Sequence, residues 1–105
     1  MVDLVWTEEA RLWLKEIFEY IKIDNSAAAK RTIISIQKKS QIIRQHPKSG
    51  YRYEEEEFPN DEIRILLYGH YRIAYLYETD KAYILGVYHG ALDLKRHLIV
   101  PLDLK

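Results

Sequence analysis

Three polar side chains interrupt an otherwise apolar final third of the chain, Glu62 to Leu98: Arg64, Arg72 and His89. Two guanidiniums can hold a phosphate or carboxylate by paired N–H donors. An imidazole can take up or release a proton near neutral pH. Together they could form an anion-binding surface with a proton-transfer group at its edge. The same residues also fit structural roles. An arginine in a strand commonly lies over an aromatic ring or bonds a helix end, and a histidine at a strand end commonly packs. No orienting partner for His89 is evident, so both readings stay open. No glycine-rich phosphate loop, H-E-x-x-H or G-x-S-x-G stretch accompanies them. With no cysteine there is no disulfide or thiolate metal site. The acidic run Glu54, Glu55, Glu56, Glu57 has no histidine at useful spacing, so neither a metal nor another cofactor is expected.

The three residues need strands to carry them. Ile63 to Tyr68 alternates as a strand, Gly69-His70 suits a tight hairpin turn, and Tyr71 to Tyr77 returns. This pairs Arg64 near residue 75 and Arg72 near residue 67. Both arginines are then expected on one broad surface, roughly diagonal to each other. Ala82 to His89 makes the last strand, and Gly86 within it marks a bulge or a close approach. Leu92 to Ile99 reads as one or two helical turns, Pro101 as the end of the ordered domain, and 101–105 as a tail. The nine tyrosines read mainly as half-buried strand residues, with base stacking as the alternative.

The first half supplies what packs on this meander. Val2 to Trp6 fits a first strand. Thr7 before Glu8-Glu9 caps a helix running to about Ile23, with Ala10, Leu14, Ile17 and Ile21 on one face. Asp24-Asn25-Ser26 breaks it. Asn25 suits the helix end and Ser26 caps a second helix from Ala27 to about Gln45, stopped by His46-Pro47-Lys48-Ser49-Gly50. The short connection makes an antiparallel helical hairpin. Tyr51-Arg52-Tyr53 then opens an extended stretch. The acidic run after it continues as an edge strand or a loop. The expected fold is α+β: an N-terminal strand and helical hairpin packed on a small antiparallel sheet (β-α-α-β-β-β-β), with a short C-terminal helix. Helices cover one face, leaving the other for solvent or a ligand.

The chain has 105 residues, which suits one domain, here 1–100. Sixteen basic and sixteen acidic side chains cancel, so any pull on nucleic acid must be local. Residues 24–50 hold six cations (Lys30, Arg31, Lys38, Lys39, Arg44, Lys48) against Asp24, a net of +5. Residues 51–62 hold Arg52 against six acids, a net of −5. This is either two solvated faces or a partner-facing surface of alternating sign. With neither a signal peptide nor a membrane span in view, a cytoplasmic location is expected.

Taken in order, W-T at 6–7, Y-I at 20–21, A-A-A at 27–29, H-P-K-S-G at 46–50, I-R-I-L-L-Y-G-H-Y-R-I-A-Y at 63–75 and I-L-G-V-Y-H-G-A-L-D-L at 84–94 resemble the ParE/RelE superfamily of type II toxin–antitoxin systems. The resemblance spans about residues 3–98. It implies two helices against a small antiparallel sheet, and a toxin silenced by a cognate antitoxin in a hetero-oligomer. ParE-like members inhibit DNA gyrase, whereas RelE-like members cleave messenger RNA in the ribosomal A site. Arg72 matches the arginine of the family's Y-R strand, Arg64 a basic position on the strand before, and His89 the end of the last strand. The RelE pattern continues with a basic residue and a tyrosine; here Gly90-Ala91-Leu92 follows, with no tyrosine after Tyr88. That brings the chain nearer the ParE-like branch, although Leu92 stands where many such chains carry arginine. The implied target-binding set is Arg64, Arg72, His89, Lys95 and Arg96, with Arg64, Arg72 and His89 as the catalytic set under a nuclease reading. Trp13 and Tyr20 are the expected antitoxin contacts, in a groove between hairpin and sheet. A degenerate member that only binds its partner is the third possibility.

Overall fold

The computed structural model describes residues 1–54 and 57–104. The elements are β1 (Asp3–Trp6), α1 (Glu8–Lys22), α2 (Ser26–Ser40), α3 (Ile42–Gln45), β2 (Tyr51–Tyr53), β3 (Ile63–Tyr68), β4 (Tyr71–Glu78), β5 (Lys81–His89), α4 (Leu94–His97) and a 3-10 turn at Leu102–Leu104. The five strands form one sheet in the order β1-β5-β4-β3-β2. β2 to β5 pair antiparallel, and β1 joins the edge of β5 in parallel. This is the expected α+β architecture. No helix is long and apolar enough to cross a membrane among the described residues.

Thr7 ties the first helix to the sheet. Its hydroxyl accepts the Ala10 N–H at 3.1 Å and donates to the Ile84 carbonyl at 2.7 Å. One side chain thus satisfies an orphan helix donor and docks α1 against β5. The second helix is capped one residue earlier than Ser26: Asn25, in extended backbone, accepts the Ala28 N–H at 2.9 Å. An amide oxygen serves a cap as well as a hydroxyl, which leaves Ser26 as the first helical residue. Nor does this helix run unbroken to Gln45. The Ser40 hydroxyl donates to the Gln37 carbonyl, the Gln41 N–H turns to the Lys38 carbonyl, and α3 restarts at Ile42. A hydroxyl bonded back into its own helix tightens the last turn. Ile36 and Ile43 are buried across this break, so both segments keep one apolar face on the sheet. Each such side chain contributes about 1.5–3 kcal/mol through burial.

The core lies in two layers. Leu66, Ile73, Tyr75, Ile84 and Val87 meet Ala10, Leu14, Ile36 and Ile43 on the helical side. Ile63, Ile65, Ala74, Leu76, Leu85 and Tyr88 face the other way. That second face is not left to solvent as expected. The C-terminal segment folds over it, with Leu94 and Leu98 buried and Leu92, Val100 and Leu104 packed beside them. These apolar residues are what the exposed strand faces would otherwise lack as cover. α4 is one turn, Leu94–His97, shorter than the expected 92–99, and Asp93 caps it by accepting the Lys95 N–H. Within the tail, Leu104 lies against the second layer. In the acidic run, Glu55 and Glu56 lie outside the described residues.

Candidate functional site

Strand parity decides where the arginines go. The hairpin register pairs Arg64 with Tyr75 and Arg72 with Leu67, as expected. Tyr75 and Arg72 are three steps apart on one strand, an odd number, so the arginines point to opposite faces. The expectation of one shared surface fails for that reason. Arg64 lies on the helical side. Its Nε donates to Glu62 Oε2 at 2.7 Å, and Nη1 donates to the carbonyls of Gly50 at 2.7 Å and Lys48 at 3.3 Å. It clasps the turn after α3. Arg72 lies on the tail side, and its Nη2 donates to the carbonyls of His89 and Leu92. It clasps the start of the C-terminal segment. Its Nε is buried without a partner. Each guanidinium is largely spent on backbone carbonyls.

His89 is exposed at the end of β5. Its Nδ1 accepts the Ala91 N–H at 3.2 Å, so in the neutral ring the proton sits on Nε2. His70 stacks beside it, with ring centroids 6.2 Å apart, and Tyr71 meets it edge-on at 6.0 Å. Arg72 therefore reaches only the backbone carbonyl of His89, whose ring lies with Tyr71 on the helical face; Arg64 shares that face but sits two strands away, opposite Tyr75. Lys95 and Arg96 sit exposed on α4. Among the described residues no group of three or more carboxylates and imidazoles could hold a metal ion.

The concave feature of this region is a groove of ≈ 400 Å³ between α1 and the far half of β5. β1 pairs with β5 only as far as Ile84, so α1 lies along the remainder in place of a strand. The helix lends Trp13, Glu16, Ile17 and Tyr20; the sheet and the turn after it lend Tyr71, Val87, His89 and Leu92. Tyr20 is 78% exposed. A second hollow, lined by Glu9, Leu12, Trp13 and Glu16, shares Trp13 and Glu16 with the groove. The two make an apolar strip along α1 whose charges are acidic. Trp13 and Tyr20, singled out from the sequence, line one groove. Glu9, Leu12 and Glu16 in the adjoining strip, and Tyr71 in the groove itself, went unnoticed. Spacings of three and four from Trp13 and Tyr20 were a usable signal for Glu9 and Glu16.

Trp13 anchors the floor. Its ring meets Tyr88 edge-on at 4.8 Å and His97 at 5.6 Å. Gly86 makes room: a Cβ there would stand 2.2 Å from the Tyr88 hydroxyl, because that ring lies back over its own strand. The register shift opposite Ala74 and Tyr75 falls at the same place, so Gly86 marks both a bulge and a close approach. Trp13 Nε1 and the Tyr88 hydroxyl are buried without partners. Burial, with Glu9 adding to it, pushes the Tyr88 phenol well above its usual range. Burial and then the nearby Tyr20 push Tyr71 up as well.

Such a groove, apolar and open along a helix, suits an amphipathic segment of another chain better than a small substrate. The family profile described as ParE toxin of type II toxin-antitoxin system, parDE, matches residues 4–94. No curated protein matches the sequence. Among solved structures, one titled "Chromosomal ParDE TA system from P. aeruginosa" aligns with a TM-score of 0.67 and 19% identity, covering 85% of this chain and 96% of that one. At that identity the likeness bears on fold. The profile match runs through nearly all of the elements described above, and by it this chain belongs to the ParE toxin family of type II toxin–antitoxin systems.

Proposed function

We propose that the protein is a toxin that inhibits DNA gyrase by binding, and that a cognate antitoxin silences it by laying an amphipathic segment along α1. The profile match over residues 4–94 carries this reading, since inhibition of gyrase is what the resemblance to ParE-like members implies. The disposition of the polar residues favours binding over nuclease chemistry. Arg64 shares the helical face with the His89 ring but lies two strands away and four residues along, Arg72 points to the opposite face, and both arginines bond carbonyls of their own chain. A nuclease needs donors free to meet charge as it develops on a phosphate. His89, Lys95 and Arg96, all exposed, remain the residues best placed to meet a target. The antitoxin segment would set apolar anchors against Trp13, Ile17 and Tyr20, with basic residues facing Glu9 and Glu16.

The test is expression in a bacterial host. Induction alone should arrest growth and raise the DNA-damage response, and co-expression of the small protein encoded beside this gene should restore growth. Harmless expression would remove the toxin reading. Arrest accompanied by ribosome-dependent transcript cleavage would replace gyrase with messenger RNA as the target.

A further inference from the structure

The groove and the His89 end leave one strongly charged surface unexplained. From Ser26 to Gly50 the chain carries six cations and no acid, in a protein whose total charge is zero. The helices α2 and α3 sort these residues by side. Ala29, Ile36, Ser40 and Ile43 are buried, whereas Lys30, Arg31, Lys38 and Arg44 are exposed. Among the described residues no carboxylate lies within ion-pair distance of any of those four; the ion pairs present join Arg52 to Glu54 and Arg64 to Glu62. Gln37, Gln41 and Gln45, four residues apart and all exposed, form a row down the same side, and Arg44 donates to Gln41 at 3.5 Å.

What this surface lacks identifies its partner. Residues 26–50 contain no tyrosine, tryptophan or phenylalanine, although the chain has thirteen such residues. Protein interfaces lean on aromatic anchors, and the exposed apolar side chains here are Ile34 and Ile42. Single-stranded nucleic acid would be held by base stacking, which also needs aromatics. Lysine, arginine and glutamine without acids are the composition that meets a phosphate backbone, the cations neutralising charge and the amides bonding phosphate and groove edges. From Lys30 to Arg44 the side spans about 21 Å at 1.5 Å per residue, several phosphates along a duplex. We infer that the outer side of α2–α3 is a binding surface for duplex DNA, engaging the backbone without sequence preference. It stands apart from the gyrase reading, because it concerns a different surface and needs no enzyme.

The test is fluorescence anisotropy of the full chain with a labelled mixed-sequence DNA duplex of about 24 base pairs. Four phosphate contacts predict a log–log salt slope of about −3.6, or a roughly 150-fold loss of affinity between 50 and 200 mM salt. The triple variant Lys30→Glu, Arg31→Glu, Lys38→Glu should abolish binding while keeping the far-ultraviolet dichroism of the parent. Amide shifts on adding duplex should cluster on Ser26–Gln45, a readout that needs no variant. The inference is overturned if the parent shows no binding at 50 mM salt or if the folded triple variant binds equally. It is also overturned if shifts cluster at His89 instead, or if poly-glutamate of matched charge competes as well as unlabelled duplex, which would mark the surface as one for acidic protein.

Discussion

The two faces of the sheet are covered by opposite strategies, and two buried tyrosines mark the difference. Tyr75 and Tyr88 are both 0% exposed, on neighbouring strands and opposite faces. The Tyr75 hydroxyl donates to the Pro47 carbonyl at 2.7 Å and accepts the Gly50 N–H at 3.0 Å. It locks the turn after α3 onto the helical face, with Arg64 clasping the same turn. The Tyr88 hydroxyl bonds nothing. The helical face is closed by helices with their own caps and ladders. The other is closed by single turns held through apolar contact and one guanidinium. The first cover is self-supporting, while the second depends on what it rests on, and the groove opens where the two meet.

The largest effect should come from Gly86→Ala. A methyl there drives the Tyr88 ring off its strand and disturbs Trp13, so denaturant unfolding should report a loss of about 3 kcal/mol. Arg72→Ala comes next. It frees two carbonyls and should cost about 2 kcal/mol. Amide exchange should accelerate in Leu94–Leu104 and leave α1 and α2 unchanged. Uniform acceleration would mean that the tail is no separate cover. Tyr75→Phe leaves the Gly50 N–H buried and unpaired and should cost about 1.5 kcal/mol. Tyr88→Phe removes a hydroxyl that has no partner and should be neutral or stabilising by up to about 1 kcal/mol. A reversed order of those two phenylalanine variants would collapse the contrast between the faces.

The same phenols set a pH dependence. Tyr88, Tyr75 and Tyr71 all have pKa values raised above the model-compound value of 10.0, with burial as the first cause. Below about pH 10 they are neutral in folded and unfolded chains alike, and stability is intact. Above it the unfolded chain releases these protons first, so stability falls as pH rises. Tyr88→Phe should flatten that alkaline decline, measured by urea unfolding across the range.

Much of the architecture was legible because it rests on local signals. Thr7 before two acids announced a helix start, and Gly69-His70 between two alternating runs fixed the hairpin register at Arg64 with Tyr75. Trp13 and Tyr20, expected beside a groove between hairpin and sheet, both line the one along α1. What escaped was the covering of the second face. Leu94, Leu98, Val100 and Leu104 have neither helical nor strand period, and only their distant partners Ile63, Ile65 and Leu85 give them meaning. The arginines were misplaced for a simpler reason: strand parity, already implied by the register, sends them to opposite sides. That both would be consumed by carbonyls at Gly50, His89 and Leu92 depends on turns far away in sequence, which no spacing displays.

Inhibition of gyrase by binding is the activity proposed for this ParE-family chain. Purified protein added to gyrase, relaxed plasmid and ATP tests it most directly. Supercoiling should stop at a modest molar excess of the chain and return when the cognate antitoxin is added. Full supercoiling at a large excess of folded protein would contradict it.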